Sequence, residues 1–203
     1  IALEHEVLSV DFDAQTIVVR DLKTNQDRTE SYDQLMLATG ATAVMPPIKN
    51  VDLKNVYHLR TMADGQALRE LGQDPKVQSV TVIGAGFIGL EIAEEFHQLG
   101  KQVRVIQLED RILPLAFDPE LTDMFADDLC DNGIELHLSE AVQALEGTDQ
   151  VTGIVTDKGQ YATDLVIVAA GIRPNTQFIT DDRLKKLPNG AIIVDQAGRT
   201  SIE

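Results

Sequence analysis

The sequence predicts an α/β protein built on a parallel sheet, with an antiparallel β-meander as one crossover and short β segments on either side. Three observations carry that prediction. Short apolar runs at 80–83, 103–106 and 134–138 alternate with stretches whose apolar residues recur at helical spacing. Such a strand–helix–strand–helix–strand order implies a parallel sheet with right-handed crossovers. Residues 141–146, 151–156 and 160–162 then read as three antiparallel strands, with turns near Gly147-Thr148-Asp149 and Lys158-Gly159. Finally, Leu165-Val166-Ile167-Val168 is continuously apolar, as expected of a strand buried on both faces.

The elements follow in order. Residues 1–47 read as short strands: Thr16-Ile17-Val18-Val19-Arg20 is β-rich and is followed by a polar turn at 23–27. A second run, Gln34-Leu35-Met36-Leu37-Ala38, ends at Thr39-Gly40, and Pro46-Pro47 then blocks regular pairing because neither residue has an N–H. Residues 48–75 form a connecting segment and a helix. Thr61-Met62-Ala63-Asp64 has the form of a capping box, Ala67, Leu68 and Leu71 supply an apolar stripe, and Gly72 is the expected C-cap. Gly65 weakens this helix by about 1 kcal/mol relative to Ala. Residues 76–170 carry the alternating pattern. In its first helix Ile88, Ile92, Ala93, Phe96 and Leu99 share a face and Gly100 stops the run. Asp118-Pro119 starts its second, with Leu121, Phe125 and Leu129 expected along one side and Gly133 at the end. Residues 171–203 read as a loop, the β-like run Ile192-Ile193-Val194-Asp195, and a polar end.

Composition narrows the function classes. A chain of 203 residues allows one large domain or two small ones. Its net charge of −16 repels nucleic acid and anionic lipid, so neither is an expected partner. No apolar run approaches the ~18 residues that span a bilayer, and the N-terminus has no signal-peptide pattern. The missing initiator Met points to a fragment or a processed chain. A single cysteine, Cys130, excludes an internal disulfide and a multi-cysteine metal site, and fits a reducing cytoplasm. The four histidines show no ligand spacing, so no metal site is expected.

One motif carries chemistry. Gly84-Ala85-Gly86-Phe87-Ile88-Gly89 follows a predicted strand and opens a predicted helix, the context in which a GxGxxG pattern marks a Rossmann-like dinucleotide site. Gly84 permits the tight turn, Gly86 lets the backbone approach a pyrophosphate, and Gly89 lets the helix pack on the sheet. The helix N-terminus supplies free N–H groups and partial positive charge. About 20 residues on, such a site needs an acceptor for the ribose hydroxyls. Gln107 stands there in place of the usual acid, and Glu109 is the alternative by reaching back. Glu109 and Asp110 keep the neighbourhood negative, which favours NADH over NADPH. Gln107→Glu is expected to sharpen that preference. Gly171, after the buried strand, leaves room for the nicotinamide half.

Tyr32 to Ala41, the Gly84 loop continuing to Glu91, and Ala169 to Asn175 occur in an order that resembles the pyridine nucleotide–disulfide oxidoreductase superfamily. Within it the chain is most similar to the single-cysteine branch of NADH oxidases, NADH peroxidases and coenzyme A-disulfide reductases. The segments 189–195 and 199–202 agree. The resemblance implies an NADH domain at 76–170, with partial FAD-domain segments at 1–47 and 171–203. The rest of the FAD domain and an interface domain, through which the complete protein would form a homo-oligomer, lie outside the chain. It implies Phe87 as the aromatic covering the flavin, Glu91 as the helix carboxylate near the nicotinamide, and Thr39 and Gly40 as backbone close to FAD. A core position for Phe87 and a solvated one for Glu91 stay open. So do two other readings of the chain: a stand-alone NADH-binding or sensing module, and another flavoprotein reductase of the ferredoxin, rubredoxin or nitrite reductase type. The redox cysteine would lie before Ile1; Cys130, among Asp127, Asp128 and Asp131, does not replace it. The fragment alone is expected neither to hold FAD nor to be active, and no catalytic side chain is assigned within it.

Overall fold

Three antiparallel strands open the chain: β1 (His5–Asp11), β2 (Thr16–Asp21) and β3 (Gln26–Ser31), in the order β1-β2-β3. Their turns are set locally. Asp11 Oδ1 accepts the N–H groups of Asp13 (3.0 Å) and Ala14 (2.9 Å), and Gln15 and Asn25 take left-handed φ values of 49° and 56°. Only β2 announces itself in the sequence. Every residue of β3 is exposed, so it has no apolar alternation, and its ladder with β2 alone makes it a strand. This sheet belongs to one of two units of the computed structural model, which describes residues 1–202. The first unit is Ile1–Thr42 with the chain from Arg173 onward, and the second is Ala43–Ile172.

Two predicted strands of the first unit are not formed. Residues 34–38 keep the alternation, with Leu35 and Leu37 half-buried and Met36 exposed, yet no strand among the described residues pairs with them. An apolar alternation becomes a strand only where a second backbone is available to bond. Residues 192–195 make a single bridge, Ile192 to Lys186. Order there comes from other contacts: Ile179 and Leu184 are buried, and Lys186 Nζ donates to the carbonyls of Thr176 (3.2 Å) and Ile179 (2.5 Å).

Strand β4 (Ala41–Ala43) lies where the chain enters the second unit, and β5 (Val56–Tyr57) follows. Helix α1 (Met62–Gln73) starts with the predicted capping box: Thr61 Oγ1 accepts the Asp64 N–H (3.2 Å) and Asp64 Oδ2 accepts the Thr61 N–H (2.7 Å). That second bond is the main reason the Asp64 carboxyl sits below the ordinary aspartate range. Gly72 is not the cap. It lies inside the helix, buried, where a methyl group would stand 2.7 Å from Leu99 Cδ1. The chain leaves the helix at Asp74 instead.

Strand β6 (Ser79–Ile83), helix α2 (Phe87–Gln98), strand β7 (Gln102–Ile106), helix α3 (Pro119–Asp131) and strand β8 (Glu135–His137) follow. The meander is β9 (Val142–Gly147), β10 (Val151–Thr156) and β11 (Gln160–Ala162), and β12 (Leu165–Val168) returns to the sheet. The parallel order is β5-β12-β6-β7-β8, and the meander forms a separate sheet, β11-β10-β9. β13 (Ile172–Pro174) pairs with β4 where the chain leaves the unit.

Alternation divides the core. Val80, Val82, Val103, Val105, Leu165 and Ile167 face the helices with Leu68, Ile92, Ala93 and Phe96. Ile83, Ile106, Val166 and Val168 face the meander with Leu145, Val151 and Ile154. Each fully buried aliphatic side chain contributes about 1.5–3 kcal/mol, so the two layers hold the sheet from both sides. Helix α3 differs from expectation. Leu121 and Phe125 are exposed, whereas Leu129 packs inward as expected, joined by Thr122 and Ala126, each one position on from the expected residue. Asp118 is its N-cap but its side chain makes no capping bond; Pro119 at the first position starts the helix. Beside β8, Glu140 is buried and ties strand to meander. It accepts from the Thr156 hydroxyl (2.5 Å) and meets His137 Nδ1 at 3.0 Å. Burial pushes its carboxyl up, but the bonds from Thr156, Tyr161 and His137 hold it below the ordinary range.

Asp164 joins the starts of the two central strands. Its Oδ2 accepts the N–H groups of Gln78 (3.0 Å) and Ser79 (2.9 Å) and the Ser79 hydroxyl (2.8 Å). Burial raises its carboxyl, and these donors outweigh burial and hold it below the ordinary range. Asp164→Asn is expected to cost about 1–3 kcal/mol near neutral pH, measured by urea unfolding. A depressed carboxyl gives its full stabilisation above the ordinary aspartate pKa of about 4 and loses it as pH falls through the folded value. The gap between parent and variant must therefore narrow below about pH 4; a gap of equal size at both ends rejects the assignment. Among the described residues no helix is long and apolar enough to cross a membrane.

Candidate functional site

The site forms where β6 ends and α2 begins. The three glycines of the motif do different work. Gly84 has φ of +106°, its N–H donates to the Ile106 carbonyl at 2.8 Å, and a methyl group there would stand 2.5 Å from the Ala169 carbonyl oxygen. Gly89 lies so close beneath the turn that a methyl group would strike the Gly84 carbonyl oxygen. These two glycines are required by the fold. Gly86 is not: its φ of −84° and ψ of −178° suit any residue, and among the described residues nothing lies within 4 Å of where a Cβ would stand. Gly86 is also the N-cap of α2, where no side chain caps the helix and no acidic residue occupies the first turn. A helix N-terminus without capping side chain or acid is a ready site for an anion, even on a chain of net charge −16.

The neighbouring residues frame this loop. Ala85 is fully buried; its N–H donates to Gln107 Oε1 at 2.8 Å and its carbonyl accepts from Leu113 at 3.0 Å. Phe87 is 59% exposed and meets Phe117 edge-on, with centroids 6.0 Å apart. Phe117 meets Phe125 in the same way at 5.7 Å. Ile88 is exposed, and Glu91 is an exposed residue of α2. Gln107 directly follows β7 and is 6% exposed. Its Nε2 donates to Glu109 Oε2 at 2.7 Å and more distantly, at 3.4 Å, to the Arg111 carbonyl. Both ends of its amide are thus engaged, whereas Glu109 is exposed. Gly171 has φ of +95° with open space beside it.

The loop 84–89, Gln107 and Glu109 are drawn together by these bonds, and Gly171 follows the Ala169 carbonyl that abuts Gly84. Thr39 and Gly40 belong to the other unit. There they are held by a residue that the sequence did not single out on its own. Asn175 N–H donates to the Gly40 carbonyl (3.0 Å), its side-chain amide donates to the Thr39 carbonyl (3.1 Å), and its Oδ1 accepts from the Thr42 hydroxyl (2.9 Å). The Pro-Asn pair after Arg173 was the available signal, because Asn commonly ties down nearby turns. A separate shallow depression of about 490 Å³, lined by Asp181, Asp182, Leu184, Lys185, Lys186 and Ile193, is no rival site. The Lys186 ammonium there is already committed to backbone carbonyls. Among the described residues no group of three or more His, Cys, Asp or Glu could hold a metal ion.

Comparison with known proteins shows the family and the fold. The chain is 35% identical over 203 residues to an NADH oxidase of Enterococcus faecalis, covering 99% of this chain and 45% of that protein. It is 38% identical over 201 residues to a CoA-dependent NAD(P)H sulfur oxidoreductase of Pyrococcus abyssi, covering 99% of this chain and 44% of that protein. The solved water-forming NADH oxidase of Lactobacillus brevis, bound to NADH, superposes with a TM-score of 0.89 at 38% identity, over 97% of this chain and 43% of that one. The chain therefore spans a little under half the length of the relatives it matches. The family described as pyridine nucleotide-disulphide oxidoreductase matches residues 1–203 throughout. With its parallel sheet, its glycine turn and this match over its whole length, the chain belongs to the pyridine nucleotide-disulphide oxidoreductase family.

Proposed function

We propose that this chain is the NAD(H)-holding part of an FAD-dependent NADH oxidoreductase, with the first unit contributing to the flavin domain. The observation that carries the reading is Gly86. Neither packing nor backbone angle requires a missing side chain at that position, and Gly gains only a modest capping preference there, so the open space over the α2 N-terminus is best explained by a ligand that lies in it. A dinucleotide pyrophosphate fits: it is anionic, and the backbone N–H groups at the start of α2 donate to it.

The residues then divide the work. Gly84 and Gly89 shape the turn, and Gly86 admits the pyrophosphate. Glu109 takes up the adenosine side. Gly171 leaves the nicotinamide side open, with Phe87 and Glu91 on the same helix end. Thr39 and Gly40, tied by Asn175, supply backbone for the flavin. When bound, NADH supplies a hydride and the flavin accepts it; the protein's part is placement and electrostatics. The missing length of the relatives corresponds, on this reading, to the remaining flavin and interface domains, through which the complete protein would assemble. The chain alone is then colourless and does not oxidise NADH. Calorimetric titration with NADH is expected to show saturable one-to-one binding, with a dissociation constant of roughly 1 μM to 1 mM, the span of enzyme–substrate affinities. Absence of any saturable heat, confirmed by equilibrium dialysis, rejects the reading.

A further inference from the structure

We propose that Gln107 is a positioning residue rather than a ligand contact, and that Glu109 is the specificity-determining residue that reads the adenosine ribose and rejects a 2′-phosphate. This rests on the reading of the Gly84 loop as the dinucleotide site, and it deepens that reading by naming what selects the cofactor.

The argument starts from hydrogen-bond inventory. The backbone of Gln107 is fixed on both sides: its N–H donates to the His137 carbonyl (2.8 Å) and its carbonyl accepts from Glu140 (2.9 Å). Its side chain has one acceptor and one donor group, and it spends both inside the protein. The acceptor takes the N–H of Ala85 in the glycine loop (2.8 Å), and the donor grips the Glu109 carboxylate (2.7 Å). A carboxylate at position 107 could serve Ala85 but has no proton to offer Glu109. The neutral amide therefore does what the usual acid cannot: it links the phosphate-side loop to an acid two residues further along.

Glu109 is suited to the role that Gln107 gives up. Its backbone is pinned by the Ser139 N–H, which donates to its carbonyl at 2.8 Å. One carboxylate oxygen meets Gln107, and the group is exposed, leaving acceptor capacity for the two hydroxyls of a ribose. A 2′-phosphate would instead meet Glu109 and Asp110. The neighbouring cation does not offset them, because Arg111 turns inward: its Nη2 donates to the Pro114 carbonyl at 2.9 Å and its Nη1 is buried. The titratable groups on the adjoining strand and turn, His137 and Glu140, are bonded to each other at 3.0 Å, and His137 also meets Glu135 at 2.8 Å.

The test is calorimetry with NADH and NADPH on the 203-residue chain, on Glu109→Gln and on Gln107→Glu, at pH 5.5 and pH 8, with thermal melts of each. Glu109→Gln is expected to weaken NADH binding about tenfold, the difference between a charged and a neutral acceptor, and to bring the NADH and NADPH affinities together. Gln107→Glu is expected to weaken NADH binding about tenfold at pH 8, where two carboxylates repel, and to recover at pH 5.5, where the pair holds one proton. The sequence alone led to the expectation of a sharper preference for NADH over NADPH in this variant. The parent chain is measured at both pH values as well, so only a recovery beyond the parent's counts. A merely structural role for Gln107 would not produce that recovery. If Gln107→Glu fails to fold, Glu109→Gln alone decides. Tighter NADH binding by Gln107→Glu at pH 8, or unchanged affinities in Glu109→Gln, overturns the proposal. If the parent binds no nucleotide, the site reading and this inference fall together. If Gly86→Val abolishes binding while Glu109→Gln changes nothing, only this inference falls.

Discussion

Gly86→Val is expected to lower NADH affinity about 100-fold while leaving the fold in place. The loss corresponds to roughly two charge-assisted hydrogen bonds at about 1.5 kcal/mol each, because a branched side chain over the α2 N-terminus keeps the pyrophosphate from the backbone N–H groups. Among the described residues nothing lies within 4 Å of the new Cβ, and the backbone angles are extended. The cost to folding is confined to replacing Gly at an N-cap with a poorer capping residue, at most about 1 kcal/mol. Calorimetry and a thermal melt on the same sample check both halves. A variant that binds NADH like the parent places the pyrophosphate elsewhere, and one that unfolds contradicts the open space.

Gly84→Val, two residues earlier in the same motif, is expected to do the opposite and break the fold. At φ of +106° a β-branched residue is strained, by about 1–3 kcal/mol. Its Cβ also meets the Ala169 carbonyl at 2.5 Å, and overpacking of that kind costs about 1–3 kcal/mol more. The obstacle is backbone of the central strand's exit, not a flexible side-chain end, so it cannot swing aside. Against a typical total stability of about 5–15 kcal/mol, the combined loss is large. Urea unfolding should show a midpoint far below the parent's, and an unchanged midpoint would falsify the assignment of Gly84 to the turn. The contrast between the two variants tests what the motif implies: a glycine kept for the turn at Gly84 and one proposed to admit a ligand at Gly86.

Several differences between expectation and structure share one cause. Residues 34–38 have the alternation of a strand and no neighbour to pair with, whereas β3 has no alternation and is a strand because β2 bonds to it. Gly72 has the residue type of a helix cap, but Leu99, just past the end of the next helix, occupies the room beside it. The inward face of α3 runs through Thr122, Ala126 and Leu129 because the sheet it packs on lies on that side, although Leu121 and Phe125 are the larger apolar residues. In each case the deciding partner is distant in sequence.

What could be read from the letters was local. The Thr61 capping box, the Pro119 helix start, the left-handed turn of Gly84 and the two-sided burial of residues 165–168 each depend on a residue and its near neighbours, whose backbone preferences are the same in any context. The tertiary structure decided how those pieces bond across the chain: β12 beside β6, Asn175 on the Thr39 turn, and Gln107 between Ala85 and Glu109. A hydrogen-bonding side chain has few donors and acceptors, so its role depends on which partners the fold brings within about 3 Å, and residue type does not name them. For that reason the glycine loop was legible from residue spacing, while the bonding of Gln107 to both Ala85 and Glu109 emerged only once β7 had placed it beside the loop.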